Sequence, residues 1–278
     1  TMNLDYLLKS HTIVFDLDGV VYRGGQLING AEIGINQLRG MGKEIRFLTN
    51  SSARGSADVS IKLNALGVYC HEEEVMTSAT ASAIYLYENN NKNIYVVGEP
   101  GLKCELSKYG LTVVDDPEKA DALLVGVDTE ISYQKIAEAM VCIQFGCHFV
   151  TCNRDPNYPV SKKKCLPGCG PMISAIESAS EKKVDFVVGK PTTYILEKLL
   201  KAKPVSPSNI VIVGDSIKSD IGLAMNFGAL AVHVDEQYFQ NETEVQDNSY
   251  YKFKSVYDLS ETLINHAASN LKDEKVAL

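Results

Sequence analysis

Apolar positions in this chain fall into short dense runs, separated by longer stretches whose apolar residues recur at helical spacing. The first run, Thr12-Ile13-Val14-Phe15, is too short for a helix and rich in β-branched residues, and it stops abruptly at Asp16-Leu17-Asp18-Gly19. It reads as a buried strand that delivers two carboxylates to a turn. In an extended segment, residues two apart project to the same side, so Asp16 and Asp18 face one way, and Gly19 lets the backbone bend close to a ligand. Residues 3–10 read as a polar lead-in to this strand, and Arg23-Gly24-Gly25 as a loop after it. Ala31 to Met41 has helical spacing through Ile33, Ile35 and Leu38 and is stopped by Gly40 and Gly42. A second strand, Ile45 to Thr49, ends in Thr49-Asn50-Ser51-Ser52, and a helix follows from about Gly55 to Leu66. Strand, helix, strand, helix is the pattern of a parallel sheet wrapped by helices.

From Thr77 a second α/β set is legible. It comprises helices over Ala79 to Tyr87, Leu102 to Tyr109 and Tyr133 to Phe145, and strands over Asn93 to Val97, Leu111 to Val114, Ala122 to Val127 and His148 to Cys152. The loop Asn153-Arg154-Asp155-Pro156-Asn157-Tyr158-Pro159 comes next, then the glycine-rich Leu166 to Pro171 and a helix to about Ala179. At Asp185 the first pattern resumes. Phe186 to Gly189 reads as a strand running into Lys190-Pro191 and the helix Tyr194 to Leu200. Asn209 to Gly214 is the most hydrophobic strand and ends in Asp215-Ser216, with Asp220 five residues later. A helix through Ala224 and a strand from Ala229 to Val234 complete the expected sheet, and the tail after about Ser260 starts as a helix and frays. The segment 234–251 carries no functional signal.

Composition narrows the function classes. A net charge of −8 over 278 residues argues against a broad nucleic-acid surface, which needs clustered Lys and Arg. A small acidic substrate stays open, because a few local cations outweigh the global field. No apolar run approaches the ~20 residues of a membrane span, and the N-terminus lacks the basic-then-apolar order of a signal peptide. Thr1 before Met2 reads as a residue added ahead of the natural start. Seven irregularly spaced cysteines without secretory features point to reduced thiols and a cytoplasmic location. Cys165 and Cys169 flank Leu166-Pro167-Gly168, but one such pair is a weak zinc signal, and no metal is assigned to them.

Ligands of open parallel sheets bind at the carboxyl ends of strands. Four expected strands end in Asp16/Asp18, Thr49/Asn50, Lys190 and Asp215/Asp220, residue types suited to phosphate chemistry. A carboxylate attacks phosphorus only if the dianionic phosphate is neutralised. Asp16, Asp215 and a backbone carbonyl near Asp18 offer the hard oxygen ligands that suit Mg²⁺. Lys190 adds a second positive charge, and Thr49 with the amides of the following helix start can hold phosphate oxygens. Asp18 is placed to protonate the leaving alkoxide and then activate a water, and Asp220 to support the metal-bound water or Lys190 from behind. Singly, each of these features has an ordinary reading as a helix cap or solvated turn; their joint occurrence carries the argument.

These residues resemble the haloacid dehalogenase superfamily of phosphotransferases. Its four motifs match as Asp16-Leu17-Asp18-Gly19-Val20, Leu48-Thr49-Asn50, Gly189-Lys190-Pro191 and Gly214-Asp215-Ser216-Ile217-Lys218-Ser219-Asp220-Ile221. The resemblance implies a doubly wound, Rossmann-like parallel-sheet core made of residues 1–77 and 186–278, with an α/β cap over 78–185 like that of the p-nitrophenylphosphatase-like and N-acetylglucosamine-phosphatase-like branch. It implies Asp16 as nucleophile forming an aspartyl-phosphate, Asp18 as general acid/base, Lys190 as a catalytic cation, and Mg²⁺ on Asp16, the Asp18 carbonyl and Asp215. Gly19, Thr49, Asn50, Ser51 and Lys190 then bind the phosphate. In this branch the loop 153–159 closes over the leaving group, which makes Asn153, Asp155 and Tyr158 substrate contacts. That loop is similar to the one in pyridoxal-phosphate phosphatases, which tend to carry Trp-His where this chain has Asn157-Tyr158. Ser219 stands where Thr is common. Caps in this branch often form dimer contacts, so a homodimer is the assembly the resemblance allows.

The expected function is therefore Mg²⁺-dependent hydrolysis of small phosphate monoesters: p-nitrophenyl phosphate, pyridoxal phosphate, phosphoglycolate, sugar phosphates or nucleoside monophosphates. Phosphotransfer to another acceptor, as in a mutase, and non-catalytic binding of a phosphometabolite are the alternatives, although a mere binder does not need Asp18. A dinucleotide-binding dehydrogenase is the weakest candidate, because no G-x-G-x-x-G follows the first strand.

Overall fold

The computed structural model describes residues 3–237 and 249–276, with the side chains of 273–276 left aside. The chain divides into two compact units, one of residues 1–47, 64–69 and 200–278, the other of 48–63 and 70–199.

In the first unit the strands run in the order Tyr251–Phe253, Leu230–Val234, Ile210–Gly214, Thr12–Phe15, Glu44–Thr49. All are parallel, with Thr12 to Phe15 in register with Ile210 to Val213 on one side and Glu44 to Phe47 on the other. Leu48 and Thr49 at the end of the last strand already belong to the second unit. Thr12–Phe15 and Ile210–Gly214 are buried at every position, as a strand covered on both faces must be, which is why they read as unbroken apolar runs. Phe15 and Phe47 meet at 6.3 Å between ring centroids in the core. Helix Ala31–Gly40 agrees with its spacing.

Three expectations for this unit need correction. Residues expected as a polar lead-in form helix Leu4–Lys9, capped by Asn3, whose side chain accepts from the Asp5 amide. The buried Lys43 holds the far end of this helix through the carbonyls of Leu7, Leu8 and Ser10, a tertiary cap that no local pattern shows. Leu230–Val234 does not complete the sheet, because Tyr251–Phe253 adds a strand beyond it. The closing helix starts earlier than expected and runs Val256–Val276. Residues 238–248 of the segment 234–251 lie outside the described residues.

The second unit has its own parallel sheet, ordered Phe186–Val187, His148–Thr151, Ala122–Val125, Asn93–Val97, Thr112–Val113. Helices Ser78–Glu88, Pro100–Lys108 and Tyr133–Gln144 fall where the periodicity puts them. Phe186–Val187, expected to resume the first sheet, pairs instead with His148–Thr151. Three apolar residues fit either sheet. Asp185 decides between them, since its amide donates to the Phe149 carbonyl at 2.7 Å and its carboxylate accepts from the Phe149 amide at 2.8 Å. Phe186 also stacks on Tyr85 with ring centroids 4.2 Å apart. The expected loop through Tyr158 and the glycine-rich stretch contain an antiparallel hairpin, Asn157–Ser161 with Lys164–Pro167, which pairs Tyr158 with Leu166. Its short strands, the first half-buried at its centre and the second exposed, carry too few apolar residues to announce themselves. Helix Cys169–Ser180 begins directly behind it.

Candidate active site

In the first unit, parallel register gathers the acids. Phe15 pairs with Val213, and the Asp16 amide donates to the Val213 carbonyl at 2.8 Å, so Asp16 and Asp215 leave neighbouring strands at the same edge of the sheet. The chain then turns back on the Leu17 carbonyl, which accepts from the amides of Val20, Val21 and Tyr22. Gly19 sits in this turn at φ +90°, and a Cβ there would lie 1.9 Å from Asp215 Oδ2. Only glycine meets both conditions. After Asp215 the helical segment Ile217–Ile221, wound one residue wider than an α-helix, brings Asp220 back over Gly214. Asp220 is 1 % exposed, and its Oδ2 accepts from the Ser216 amide at 3.1 Å.

Asp16, Asp215 and Asp220 thus form one cluster, their ligand oxygens within 4.8 Å of one another. At that separation each ionised pair repels by about 3 kcal/mol in an effective dielectric of about 20. The hard oxygen donors of this cluster suit a small divalent ion. Asp220, expected behind the ligands, contributes its own oxygen to this set. Asp18 lies outside the three, half-buried in the turn and bridged to Tyr22.

The second unit assembles the amides and the lysine. Asn50 is the hub: its Nδ2 donates to Asp155 Oδ2 at 3.0 Å and to the Lys190 carbonyl at 3.1 Å, while its Oδ1 accepts from the Lys190 amide at 2.8 Å. Asn153 Nδ2 donates to the Asn50 carbonyl at 2.7 Å, and Asn153 Oδ1 accepts from the Asp155 amide at 3.0 Å. Ser78 Oγ donates to the carbonyls of Asn50 and Ser51, and Thr49 Oγ1 accepts from the Ser51 amide. Lys190 is 3 % exposed, and its Nζ donates to the Leu48 carbonyl at 3.3 Å. Thr49, Asn50, Ser51, Asn153, Asp155 and Lys190 are therefore one connected group. Tyr158 lies half-buried on the hairpin strand Asn157–Ser161.

Sequence reasoning did not single out Glu177. This buried carboxylate grips Arg154 at 2.8 and 2.9 Å and also receives Lys183 and the Val184 amide. These contacts pull its carboxyl from 4.5 to about 2. A glutamate on an amphipathic helix gives no signal of this before the partner segments are placed. The seven cysteines are free thiols, with Cys165 exposed and Cys169 buried against Thr151, and burial raises the Cys169 thiol to about 11. No helix among the described residues is long and apolar enough to cross a membrane.

The first unit ends two adjacent parallel strands in acids, and the second joins a lysine to an asparagine. Comparison then gives the family: the chain belongs to the haloacid dehalogenase-like hydrolases, matching that family's pattern over residues 13–112 and the HAD-hydrolase-like pattern over 187–259. It is 33 % identical to the sugar-phosphatase AraL of Bacillus subtilis over 217 residues, covering 78 % of this chain and 79 % of the relative. It is 32 % identical to the chloroplastic phosphoglycolate phosphatase 1A of Arabidopsis thaliana over 250 residues, covering 81 % and 69 %. Among solved structures, the p-nitrophenyl phosphatase from Archaeoglobus fulgidus matches with a TM-score of 0.81 at 27 % identity, over 91 % of this chain and 99 % of that one. The enzyme is a phosphatase of this family.

Proposed function

We propose that this chain is a Mg²⁺-dependent phosphatase that hydrolyses small-molecule phosphate monoesters, with sugar phosphates, phosphoglycolate and p-nitrophenyl phosphate as the substrate classes its relatives' names suggest. The observation that carries this reading is the Asp16, Asp215 and Asp220 cluster, with Gly19 kept bare beside Asp215. Mg²⁺ would be held by Asp16, Asp215 and the Asp18 carbonyl, with Asp220 beside them, and would supply charge neutralisation of the phosphate.

In this reading Asp16 attacks phosphorus and the ester oxygen departs. Asp18 gives that oxygen its proton, so the alcohol leaves neutral and Asp16 carries the phosphoryl group. Asp18, now a carboxylate, takes a proton from water, which attacks phosphorus and releases phosphate, restoring Asp16. Lys190, its backbone fixed from both sides by Asn50, provides a cation for the phosphate oxygens, and Thr49 and Ser51 provide hydroxyl and amide donors. We assign leaving-group selection to the segment 78–185, through Asn153, Asp155 and Tyr158. Purified protein incubated with p-nitrophenyl phosphate should release nitrophenol with Mg²⁺ and stop with EDTA. An absence of release with Mg²⁺ across a pH series would overturn the proposal.

A further inference from the structure

The side chains of Asn153, Arg154 and Asp155 divide their contacts. Asn153 and Asp155 bond to Asn50, whereas Arg154 between them pairs with Glu177 in a two-pronged ion pair. Glu177 lies on helix Cys169–Ser180, and the same carboxylate accepts from the Val184 amide at 3.1 Å and from Lys183 Nζ at 3.2 Å. Val184 opens the segment that runs through Phe186–Val187 to Gly189 and Lys190. Two segments, 153–155 and 184–190, are thus tied together twice, by Asn50 at one end and by Glu177 at the other. The helix start adds a third tie to the first segment, the Gly170 amide donating to the Asp155 carbonyl at 2.8 Å.

We propose that Glu177 is a positioning residue, which sets the spacing of the Asn153–Asp155 turn against the segment that leads from Phe186–Val187 to Lys190 and through them the posture of Asn50, Asp155 and Lys190. It touches none of the groups assigned to substrate and acts only through Arg154 and Val184. A charged, two-pronged pair suits this task because its planar geometry fixes direction as well as distance. A 3 %-exposed carboxylate with four donors has no competing solvent-bound arrangement.

Two arms test this, one of which rests on the phosphatase reading and one of which does not. The independent arm is amide hydrogen exchange on the wild type, Glu177→Gln and Arg154→Lys. Glu177→Gln should exchange roughly tenfold faster in peptides covering 48–56, 150–158 and 184–192, with strands Asn93–Val97 and Ala122–Val125 unchanged, and Arg154→Lys should fall between. Unchanged exchange in those peptides, or loosening spread equally into the two strands, would overturn the proposal. In the kinetic arm, kcat/KM for p-nitrophenyl phosphate should fall roughly 10- to 100-fold in Glu177→Gln, and the Glu177→Gln, Asp155→Asn double variant should be little worse than its poorer parent. Additive losses would mean that Glu177 acts elsewhere. If the wild type hydrolyses no phosphate ester, the functional reading falls, and the exchange arm still decides the positioning role.

Discussion

The carboxylates of the first unit and the amides and lysine of the second are built on opposite principles. Asp16, Asp215 and Asp220 are gathered like charges, brought within 4.8 Å by strand register and by two glycines that clear the space. Asn50, Asn153, Asp155 and Lys190 are instead a chain of donors matched to acceptors. The first set concentrates negative charge in a small volume. The second is complete by itself and arrives already oriented. Gathered like charges attract a cation, whereas preoriented donors cost no reorganisation when charge develops.

Breaking the acidic set at its reacting member should have the largest effect. Asp16→Asn keeps size and removes the nucleophilic charge, so turnover of p-nitrophenyl phosphate should fall by roughly a thousandfold or more. A variant that keeps most of its turnover would exclude Asp16 as nucleophile. Gly19→Ala comes next. Its Cβ would overlap Asp215 Oδ2 at 1.9 Å, and its φ of +90° is strained for alanine. The expected outcome is a loss of about 100-fold in kcat/KM together with a higher Mg²⁺ requirement, read from an activity titration against Mg²⁺ and from the Mg²⁺-induced rise in Tm. A loss without a shift in Mg²⁺ dependence would show that Gly19 serves the turn alone.

The donor network should yield a milder and different signature. Asn50→Ala removes the partners of the Lys190 amide, the Lys190 carbonyl and Asp155, yet leaves its own main-chain carbonyl for Asn153. Inhibition by inorganic phosphate should weaken on the order of tenfold, with the Mg²⁺ requirement unchanged. If Mg²⁺ dependence moves as well, the two sets are not separable in the way their construction suggests.

What the chain discloses follows the same division. The acidic set was readable because strands buried on both faces are unbroken apolar runs, and Asp16 and Asp215 follow such runs immediately. Register then brings them together with no further information. The second set was readable as residues but not as an arrangement. Phe186–Val187 is too short for its apolar pattern to say which sheet it joins, and the choice rests on Asp185 bonding Phe149, a contact across 36 positions of sequence. The hairpin around Tyr158 was missed because its strands are short, one half-buried in its middle and the other exposed, with a proline in each. Helix Leu4–Lys9 was missed because a buried lysine from another segment caps it. Local pattern reports what a segment buries, and it is silent on polar contacts made at long range.

Glu177 offers the finest test of that distinction, because it stabilises the donor network by charge while lying outside the acidic cluster. Its carboxyl is lowered from 4.5 to about 2, first by Arg154. A carboxylate depressed on folding contributes stability that is fully present above its unfolded value and is lost as pH falls through the folded one. The contribution is therefore constant above about pH 4.5 and fades towards pH 2, with a ceiling of roughly 3 kcal/mol from the shift. Glu177→Gln should be less stable than the wild type at pH 7 by up to that amount, and the gap should narrow steadily as the pH drops from 4.5 towards 2. Urea unfolding at pH 7, 4 and 2.5 measures it. If the gap stays constant down to pH 2.5, Glu177 stabilises through shape and hydrogen bonding that glutamine cannot supply, and the ion pair with Arg154 would not be the feature that holds the turn.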